Sequence, residues 1–467
     1  MKNLFFILIG FVFITSGCKE KQTEFHAPDR ISQRDAILKN IVAPEIPTTT
    51  ISILDFEAKG DSLTDCKPAF DAAMNRAKEL GGARITVPAG IYLLKGPIHF
   101  ENNVCLDIQE GARLKFDSNP ENYLPVVYTS WEGTFLYNYS PFIYGYQLEN
   151  ISIIGKGTID GNAKGSFSTW KSKQKDDQML SREMNHKNTP VDKRIFGEGH
   201  FLRPQLVQFF DCKNILIEDV HIVNSPFWCI HLLKSENITI RGISYNSHLA
   251  NNDGIDPEYS KNILIENVSF DNGDDNVAIK SGRDYEGRAT AIPTENIIIR
   301  NCIFKGLHAV VIGSEMSAGV RNVFVEDCTF GGYCKRGIYL KSNPDRGGFI
   351  QNIYINNVTL DEVEDAFYIT SFYHNEGAES GYATDISQVY VDGFKCRKAT
   401  GAGIVVQGFP SKKVQDIHFS NVTIDSAAIG VSLTNAENII MNNVVIGGVV
   451  DVPSTAETDT EGVAINL

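Results

Sequence analysis

The amino-acid sequence predicts an all-β fold, a right-handed parallel β-helix with an N-terminal capping helix. From residue 150 onward, a phrase of Asn followed by alternating aliphatic residues keeps returning, at steps of 23, 25, 34, 26 and 30 residues between Asn214 and Asn352. A short base period with variable additions is typical of a solenoid whose loops differ in length. The apolar residues alternate with period two, which indicates strands. The copies begin at Asn150, Asn214, Asn237, Asn262, Asn296, Asn322, Asn352 and Asn438.

A leucine-rich repeat is the alternative solenoid, but its Leu-x-x-Leu-x-Leu frame is absent from the sequence. A stacked sheet has an end that must be covered, and the segment from Lys67 to Leu80 predicts a covering helix. Pro68 suits the start of this helix, and Gly81-Gly82 suit its end. One side of the predicted helix is apolar and consists of Phe70, Ala73, Met74, Ala77 and Leu80.

The first residues predict export. Lys2 supplies a positive charge, and the apolar run of eleven residues from Leu4 to Ile14 suits a secretory signal. Thr15-Ser16-Gly17-Cys18 resembles a bacterial lipobox, which implies cleavage before Cys18 and lipidation of its thiol. A plain signal peptide is the alternative. We therefore expect a signal peptide at 1–17, a lipid-anchored tether at 18–50 and a β-helix catalytic domain at 51–467. We expect an exported bacterial lipoprotein of the periplasm or the outer-membrane surface.

Two further features of the sequence bear on the structure: an insertion between two repeats, and the cysteines. The step of 64 residues between Asn150 and Asn214 leaves room for an insertion at about 166–203. Export permits disulfides among the eight cysteines that remain after Cys18. However, Cys212, Cys302 and Cys328 recur at one point of the pattern, so stacked free thiols are an equal alternative. No Cys or His spacing suggests a metal.

Acidic side chains concentrate at two places one period apart. Asp253 precedes Asp274 by 21 residues and Asp275 by 22 residues, so the three carboxylates are expected on adjacent coils. Neighbouring strands are ~4.8 Å apart, and like charges so close should keep one carboxyl protonated. A protonated carboxyl beside ionised carboxylates is what glycoside hydrolysis requires. Turn formation or Ca²⁺ binding are the alternatives for such clusters. Asp256 and Asp271 are predicted to be turn residues.

The motifs around these aspartates resemble the polygalacturonase family, glycoside hydrolase family 28. The resemblance runs from about Ile53 to the last repeats. It implies inversion at the anomeric carbon and neither metal nor cofactor. It is carried by Asn251-Asn252-Asp253-Gly254-Ile255-Asp256, by residues 273–282 (GDDNVAIKSG), by residues 310–316 (VVIGSEM) and by Asn224-Ser225-Pro226-Phe227-Trp228.

The resemblance also implies roles by position. Asp274 matches the general acid, and Asp253 and Asp275 match the pair that activates water. Asn251 matches the leading Asn of its motif. Tyr373 falls where the family has a tyrosine that contacts the substrate, although it could equally be a groove-wall residue.

Two departures from the family pattern concern substrate. Where the family has Gly-His-Gly, this chain has Gly306-Leu307-His308-Ala309, which places His308 one residue late. A one-residue shift in a strand reverses the face of a side chain, unless a bulge restores it. The family's Arg-Ile-Lys, which grips the substrate carboxylate on the leaving side, is Tyr339-Leu340-Lys341 here, and Arg336 lies three residues earlier. Tyr339 offers a sugar-stacking face, so rhamnose or another neutral sugar fits the leaving side better.

Positive residues gather near the aspartates and predict an acidic sugar. Arg283 to Pro293 and the insertion at 166–200 are expected to wall off one end of the groove, which would make the enzyme exo-acting. The candidate catalytic residues are Asp253, Asp274, Asp275 and His308, and the candidate substrate-binding residues are Asn251, Lys280, Arg283, Arg336, Tyr339, Lys341 and Tyr373.

The sequence thus predicts an inverting hydrolase of α-linked galacturonic acid in pectin, either polygalacturonan or rhamnogalacturonan fragments. A β-helix polysaccharide lyase and a non-catalytic glycan-binding adhesin are the alternatives. The partners expected are a pectic polysaccharide or oligosaccharide and, through the lipid anchor, a membrane. A net charge of −14 argues against nucleic acid. We expect a monomer.

Overall fold

A computed structural model of the protein describes residues 29–375, 381–448 and 464–466. These residues wind into a stack of coils whose successive strands pair in parallel, as predicted. The helices are α1 (Arg30–Asn40), α2 (Lys67–Glu79), α3 (Ser166–Trp170), α4 (Lys175–His186) and α5 (Asp284–Thr290), with 3-10 turns at Ile53–Phe56, Pro120–Tyr123, Val191–Lys193 and Tyr373–Asn375.

The strands are short in the first coils and longer in the last, where one strand can continue around a corner of the coil. The first nineteen are β1 (Thr50–Ser52), β2 (Asp61–Asp65), β3 (Ala83–Val87), β4 (Gly90–Leu94), β5 (Ile98–His99), β6 (Val104–Ile108), β7 (Ala112–Phe116), β8 (Val127–Trp131), β9 (Thr134–Asn138), β10 (Ile143–Tyr146), β11 (Glu149–Ile154), β12 (Thr158–Asp160), β13 (Ile195–Phe196), β14 (Val207–Phe210), β15 (Lys213–Glu218), β16 (His221–Val223), β17 (Ile230–Leu233), β18 (Glu236–Arg241) and β19 (Ser244–Ser247). The others are β20 (Ile255–Glu258), β21 (Lys261–Glu266), β22 (Ser269–Ile279), β23 (Thr294–Arg300), β24 (Ile303–Phe304), β25 (Gly306–Ile312), β26 (Val320–Glu326), β27 (Thr329–Lys341), β28 (Phe349–Thr370), β29 (Asp385–Gln407), β30 (Val414–Ile424), β31 (Ala427–Thr434), β32 (Ala436–Ile446) and β33 (Ala464–Asn466).

The coils have three faces, each a parallel sheet. We call the first the groove sheet, because it carries the candidate site; it contains β5, β10, β14, β17, β20, the end of β22, β25 and the ends of β27, β28 and β29. The repeated Asn phrases form the second, outer sheet, including β15, β18, β21, β23 and β26. The third sheet includes β12, β16, β19 and β24.

The recurring Asn residues turn the chain between sheets. Asn296 has a φ of 60°, in the left-handed region that Asn tolerates better than most residues. Its side chain donates to Asn262 at 3.0 Å and accepts from Asn322 at 2.9 Å, so amides bond from coil to coil. The repeated Asn therefore turns the chain between two sheets and also forms side-chain hydrogen bonds between successive coils.

Aliphatic side chains of all three sheets fill the interior, and α2 covers its end. Phe70, Ala73 and Met74 of α2 are buried against the first coils, which confirms the predicted capping helix. Leu80 caps the helix C-terminus and is 40% exposed, so the buried stripe is one residue shorter than predicted.

Part of the predicted tether is packed against the fold. Residues 29–48, which we call the strap, run along the outer sheet. Ile37 of α1 is buried against Leu264, Ile298 and Phe324, and Asn237 bonds both backbone groups of Val42. The predicted lipid-anchored tether over 18–50 is therefore packed against the fold in this stretch, because the outer sheet presents apolar side chains that α1 covers.

The eight cysteines of the described residues are all free and buried. Cys302 and Cys328 occupy the same corner of successive coils, whereas Cys212 lies at another corner. No helix among the described residues is long and apolar enough to cross a membrane. The predicted signal peptide and Cys18 lie outside the described residues.

Candidate active site

The groove sheet brings the predicted aspartates together. Asp253 lies just before β20, and Asp274 and Asp275 lie in β22 on the next coil, where the Gly254 N–H donates to the Asp275 carbonyl at 2.9 Å. All three carboxylates line a cleft of about 270 Å³, which we call the first cleft. The one-period spacing thus does place them at one point.

Asp275 is bound by two basic side chains. His308 Nδ1 lies 2.6 Å from one carboxylate oxygen, and Lys341 Nζ lies 2.9 Å from the other. Although burial opposes ionisation, Lys341 and His308 hold the pKa of Asp275 far below its ordinary value. Asp275 is therefore an ionised carboxylate inside the cleft.

His308 reaches Asp275 because the strand pairing is irregular. The register between β22 and β25 shifts between Asn272 and Asp275, after which Asp275 pairs directly with His308. Such a shift offsets the one-residue delay seen in the sequence. His308 therefore lies in the site. The sequence alone had left this question open.

Asp274 has the opposite character. Burial, and then the negative charge of Asp275, raise the pKa of Asp274 above its ordinary value. Its carboxyl accepts bonds from the backbone N–H groups of Asp275 at 3.0 Å and Asn251 at 3.2 Å. Two neighbours in sequence thus differ in how readily they ionise: Asp274 keeps its proton to higher pH and suits a donor, and Asp275 suits an acceptor.

Asp253 and Asp256 share one cation. Lys280 Nζ lies 3.7 Å from an oxygen of each. Burial, and then the charge of Asp256, raise the pKa of Asp253 well above its ordinary value, and burial also raises the pKa of Asp256. Both carboxyls of this pair therefore resist ionisation, whereas Asp275, whose pKa is lowered, is the readily ionised member of the cluster.

Asp256 and Asp271 are not turn residues, contrary to prediction. Asp256 is fully buried within β20. Asp271 lies within β22 and pairs with Lys305 at 2.8 Å. Asp256 belongs to the groove sheet, whereas Asp271 lies in the part of β22 that pairs with β19 in the third sheet.

Lys280 and Asn251 line the first cleft, as predicted. Lys280 also lies 3.4 Å from Glu315 and 4.4 Å from the ring centre of Trp228. Burial lowers the pKa of Lys280, but the charges of Glu315 and Asp253 outweigh it and raise the pKa overall. Its positive charge is therefore fixed by carboxylates that surround it.

Arg283, which was predicted to contact substrate, lies beneath the clefts instead. Its side chain is 3% exposed and lines neither cleft. Its guanidinium pairs with Asp284 at 3.0 Å and Glu315 at 3.3 Å, and its backbone N–H donates to Gly133 at 3.1 Å. Arg283 therefore holds Asp284 and Glu315 in place beneath the cleft. Its sequence position beside the catalytic coil does not distinguish this supporting role from a substrate contact.

A second cleft of about 510 Å³ opens on the other side of Asp274. Arg336 lies over the rings of Tyr339 and Tyr368, at 4.8 and 4.3 Å from their centres, and pairs with Asp365 at 3.2 Å. The second cleft contains every remaining predicted contact residue: Arg336, Tyr339, Lys341 and Tyr373.

A hairpin that was not predicted helps the insertion to close one end of the first cleft. The strands β8 and β9 form an antiparallel hairpin whose tip carries Glu132. Glu132 accepts bonds from Gln178 of α4 at 2.7 and 2.9 Å and pairs with Arg182 at 3.2 Å. Lys171, between α3 and α4, donates to Asn251 at 2.9 Å. Alternating apolar and polar residues on both sides of Glu132-Gly133 could have predicted the hairpin. Nothing in the sequence showed that the hairpin faces the cleft.

The loop at 283–293 supports this hairpin. Within it, Glu286 of α5 accepts from the Phe135 N–H at 2.7 Å and from Arg194 at 2.8 Å. The insertion at about 166–203 therefore forms one wall of the cleft directly, while the loop at 283–293 acts through the hairpin.

Two groups of side chains among the described residues have the composition of a metal site. They are Asp274, Asp275 and His308, and His186, Asp284 and Asp345. In each group the central carboxylate already has basic partners, which for Asp275 are His308 and Lys341. This arrangement suits acid–base chemistry better than divalent-ion binding, which favours oxygen ligands without competing cations.

Comparison with known proteins agrees with this chemistry. Residues 79–445 match the family described as "Glycosyl hydrolases family 28". A probable polygalacturonase of Vitis vinifera is 29% identical over 394 residues, which cover 81% of this chain and 74% of that protein. An endo-polygalacturonase of Pectobacterium carotovorum is 28% identical over 381 residues, 79% and 86% of the two chains. The crystal structure of a hyperthermoactive exopolygalacturonase from Thermotoga maritima superposes with a TM-score of 0.85 at 39% identity, covering 90% of this chain and 96% of that one.

Proposed function

This chain belongs to family 28 of the glycosyl hydrolases, and on that premise we propose that it removes α-linked galacturonic acid residues from the ends of pectic chains. The proposal rests on one observation above all: a carboxyl with a raised pKa, Asp274, lies beside an ionised carboxylate, Asp275, in a cleft. The pectic chains considered are polygalacturonan and rhamnogalacturonan fragments.

The proposed reaction is a single displacement with inversion. Asp274 donates its proton to the glycosidic oxygen as the bond from that oxygen to the anomeric carbon breaks. Asp275 accepts a proton from a water molecule, whose oxygen forms the new bond to the anomeric carbon on the opposite face. Asp253, which shares Lys280 with Asp256, orients that water from the neighbouring coil.

The charges of the first cleft suit a uronic acid. Lys171, Arg182, Lys280 and Lys341 all line it. Lys280 and Lys341 are bound to carboxylates beside the reacting bond, whereas Lys171 bonds the neutral amide of Asn251 and Arg182 pairs with Glu132, so these two are the cations at the closed end. A carboxylate there would gain charge-assisted hydrogen bonds.

The second cleft suits a neutral sugar on the leaving side. Tyr339 stands where the family has an arginine, and Arg336 is already paired with Asp365. Leu307 and Phe372 add apolar surface to the same cleft. Aromatic faces bind the apolar side of a sugar ring without needing a carboxylate. These features support rhamnose or a similar neutral sugar beyond the scissile bond.

Exo action is supported by the hairpin over the groove sheet. Thr129 of β8 donates to Gln208 of β14 at 2.8 Å, and Ser130 donates to Glu258 of β20 at 3.3 Å. Phe135 of β9 stacks on Tyr259 with ring centres 5.7 Å apart. In a groove that stayed open, these groove-sheet side chains would face the continuing substrate. Here the hairpin occupies that space.

The test is a side-by-side digestion of homogalacturonan and rhamnogalacturonan oligosaccharides, with products sized over time. We expect galacturonic acid from the first time point and no absorbance at 235 nm. Oligomers of mixed length at early times would overturn exo action. Absorbance at 235 nm would show a lyase, and no release by an enzyme that binds the glycan would show a binding protein.

We also propose that Cys18 carries a lipid and that the enzyme acts at a membrane surface. The support is the lipobox-like Thr15-Ser16-Gly17-Cys18. Ten residues separate Cys18 from Asp29, the first residue of the strap. An extended chain of that length spans at most ~35 Å, so the catalytic domain would stay close to the membrane.

A further inference from the structure

The closed end of the first cleft holds a carboxylate that the proposed reaction does not use. We propose that Glu132 recognises the free 4-hydroxyl group of the terminal non-reducing sugar and thereby selects unsubstituted chain ends. This inference rests on the proposed function, because it assigns the end of the cleft to the sugar that is released.

Glu132 is held in place from several directions. It lies at the hairpin turn with a φ of 44°, followed by Gly133 with a φ of 78°, as in the tight turns that join two strands. Gly133 packs so closely on Arg283 that a Cβ there would lie 2.8 Å from the Cβ of Arg283. The preceding Trp131 donates from its indole nitrogen to the Arg203 carbonyl at 3.0 Å. The carboxylate is therefore fixed before substrate arrives.

The contacts of Glu132 leave it able to accept another hydrogen bond. One amide nitrogen of Gln178 and one guanidinium nitrogen of Arg182 bond its two oxygens. A carboxylate offers about four acceptor positions and, when ionised, donates none. The side chain is 12% exposed, and the surface that it presents lines the first cleft. A hydroxyl group is the substrate donor that fits.

The direction of the substrate identifies that hydroxyl. The leaving side lies in the second cleft, beyond Asp274 and towards Tyr339. The sugar that is released must then lie in the first cleft, between the aspartates and the hairpin. In a pyranose linked through C1, the 4-hydroxyl lies across the ring from the bond that breaks. It therefore points to the closed end, where Glu132 lies.

The experiment compares two trigalacturonates that differ at this position. One has a saturated non-reducing end with its 4-hydroxyl, and the other has the 4,5-unsaturated end that a lyase leaves, which lacks it. We expect the wild type to prefer the saturated substrate by about 10- to 100-fold in kcat/KM, the range for a hydrogen bond to a charged group. Glu132→Ala should lose this factor on the saturated substrate alone, so that the ratio falls towards one.

Glu183→Ala is the matched control, since Glu183 is exposed on α4 and pairs only with Lys187 among the described residues. It should keep the wild-type ratio. If Glu132 merely holds Gln178 and Arg182, Glu132→Ala will slow both substrates equally, which overturns the inference, and thermal melting will report any loss of folding. A wild type that hydrolyses both substrates equally overturns the inference while the proposed function stands. One that hydrolyses neither trigalacturonate nor a rhamnogalacturonan oligosaccharide overturns both.

Discussion

Asp274 and Asp275 are adjacent in the chain, yet their surroundings shift their pKa values in opposite directions. Asp275 contacts Lys341 and His308, whereas Asp274 accepts bonds from neutral backbone N–H groups. A lone aspartate of either kind would be a poor catalyst at neutral pH. Together they supply a donor and an acceptor within one residue of each other.

Replacing the proton donor should abolish most activity without unfolding the protein. Asp274→Asn keeps the size of the side chain and removes its acid, so kcat should fall by about 10²- to 10⁴-fold. The melting temperature should stay close to that of the wild type, because an amide oxygen can still accept bonds from the backbone N–H groups of Asp275 and Asn251. Unchanged glycan release by Asp274→Asn would contradict its role as acid.

The two carboxyls should also shape the pH dependence. Asp274 acts when protonated, so kcat/KM should decline as pH rises through its raised pKa. Asp275 acts when ionised, and its depressed pKa should keep it ionised well into the acid range. In Lys341→Met the pKa of Asp275 should rise, and activity should then be lost at a higher pH on the acid side. An acid side that does not move would show that Lys341 does not set this pKa.

At this scale the sequence predicts the residues better than their contacts. Asp253, Asp274 and Asp275 could be placed together because a fixed period maps positions onto adjacent coils. Arg283 could not be placed, because a basic residue beside a site lines it or supports it depending on its rotamer and on distant partners. Glu132 was missed because it reaches the cleft from a hairpin outside the repeat.

The corner asparagines make their contribution at the scale of the element. Asn296→Ala removes two ladder bonds and forces a side chain with a plain Cβ into a left-handed conformation. We expect a loss of about 2–4 kcal/mol in the free energy of unfolding. Asn296→Gly loses the same bonds but adopts the conformation freely, so its loss should be smaller. Chemical denaturation checks both, and equal losses would contradict the conformational part.

The strap gives a second prediction at this scale. Ile37→Ala removes apolar contacts with the outer sheet, worth about 2 kcal/mol or more for a buried side chain. Amide exchange in α1 should therefore accelerate, while activity persists because α1 packs on a sheet other than the groove sheet. Ile31→Ala in the same helix is the control, since Ile31 is 57% exposed. Equal exchange in both variants would show that Ile37 does not anchor the strap.

Sequence periodicity identifies the elements that repeat and misses those that occur once. The coils and α2 followed from alternation and helix-end signals, but α1 lies in a polar segment whose only buried residue is Ile37. Its docking depends on outward-facing apolar side chains of the outer sheet that are far away in sequence. Local patterns do not contain such information.

At the scale of the whole molecule, location and activity should be separable. If Cys18 carries the lipid, Cys18→Ala should move the enzyme from the membrane fraction to the soluble fraction. Its specific activity should be unchanged, because the groove sheet and the strap remain intact. Fractionation of cells that express each form measures the shift. A Cys18→Ala protein that stays with the membrane would contradict lipidation.

The strap has a further consequence for how the stack comes apart. In a solenoid each coil contacts only its neighbours, so unfolding can begin at either end and fray inward one repeat at a time. The strap links distant repeats, since Arg30 pairs with Asp392 at 2.7 Å while Val42 bonds Asn237 at 2.8 Å. The strap thereby joins coils that do not contact one another directly. If the coil of Asp392 unfolds, the strap also loses contacts with the other coils. The repeats between Asn237 and Asp392 should therefore unfold more cooperatively than those of a stack without a strap.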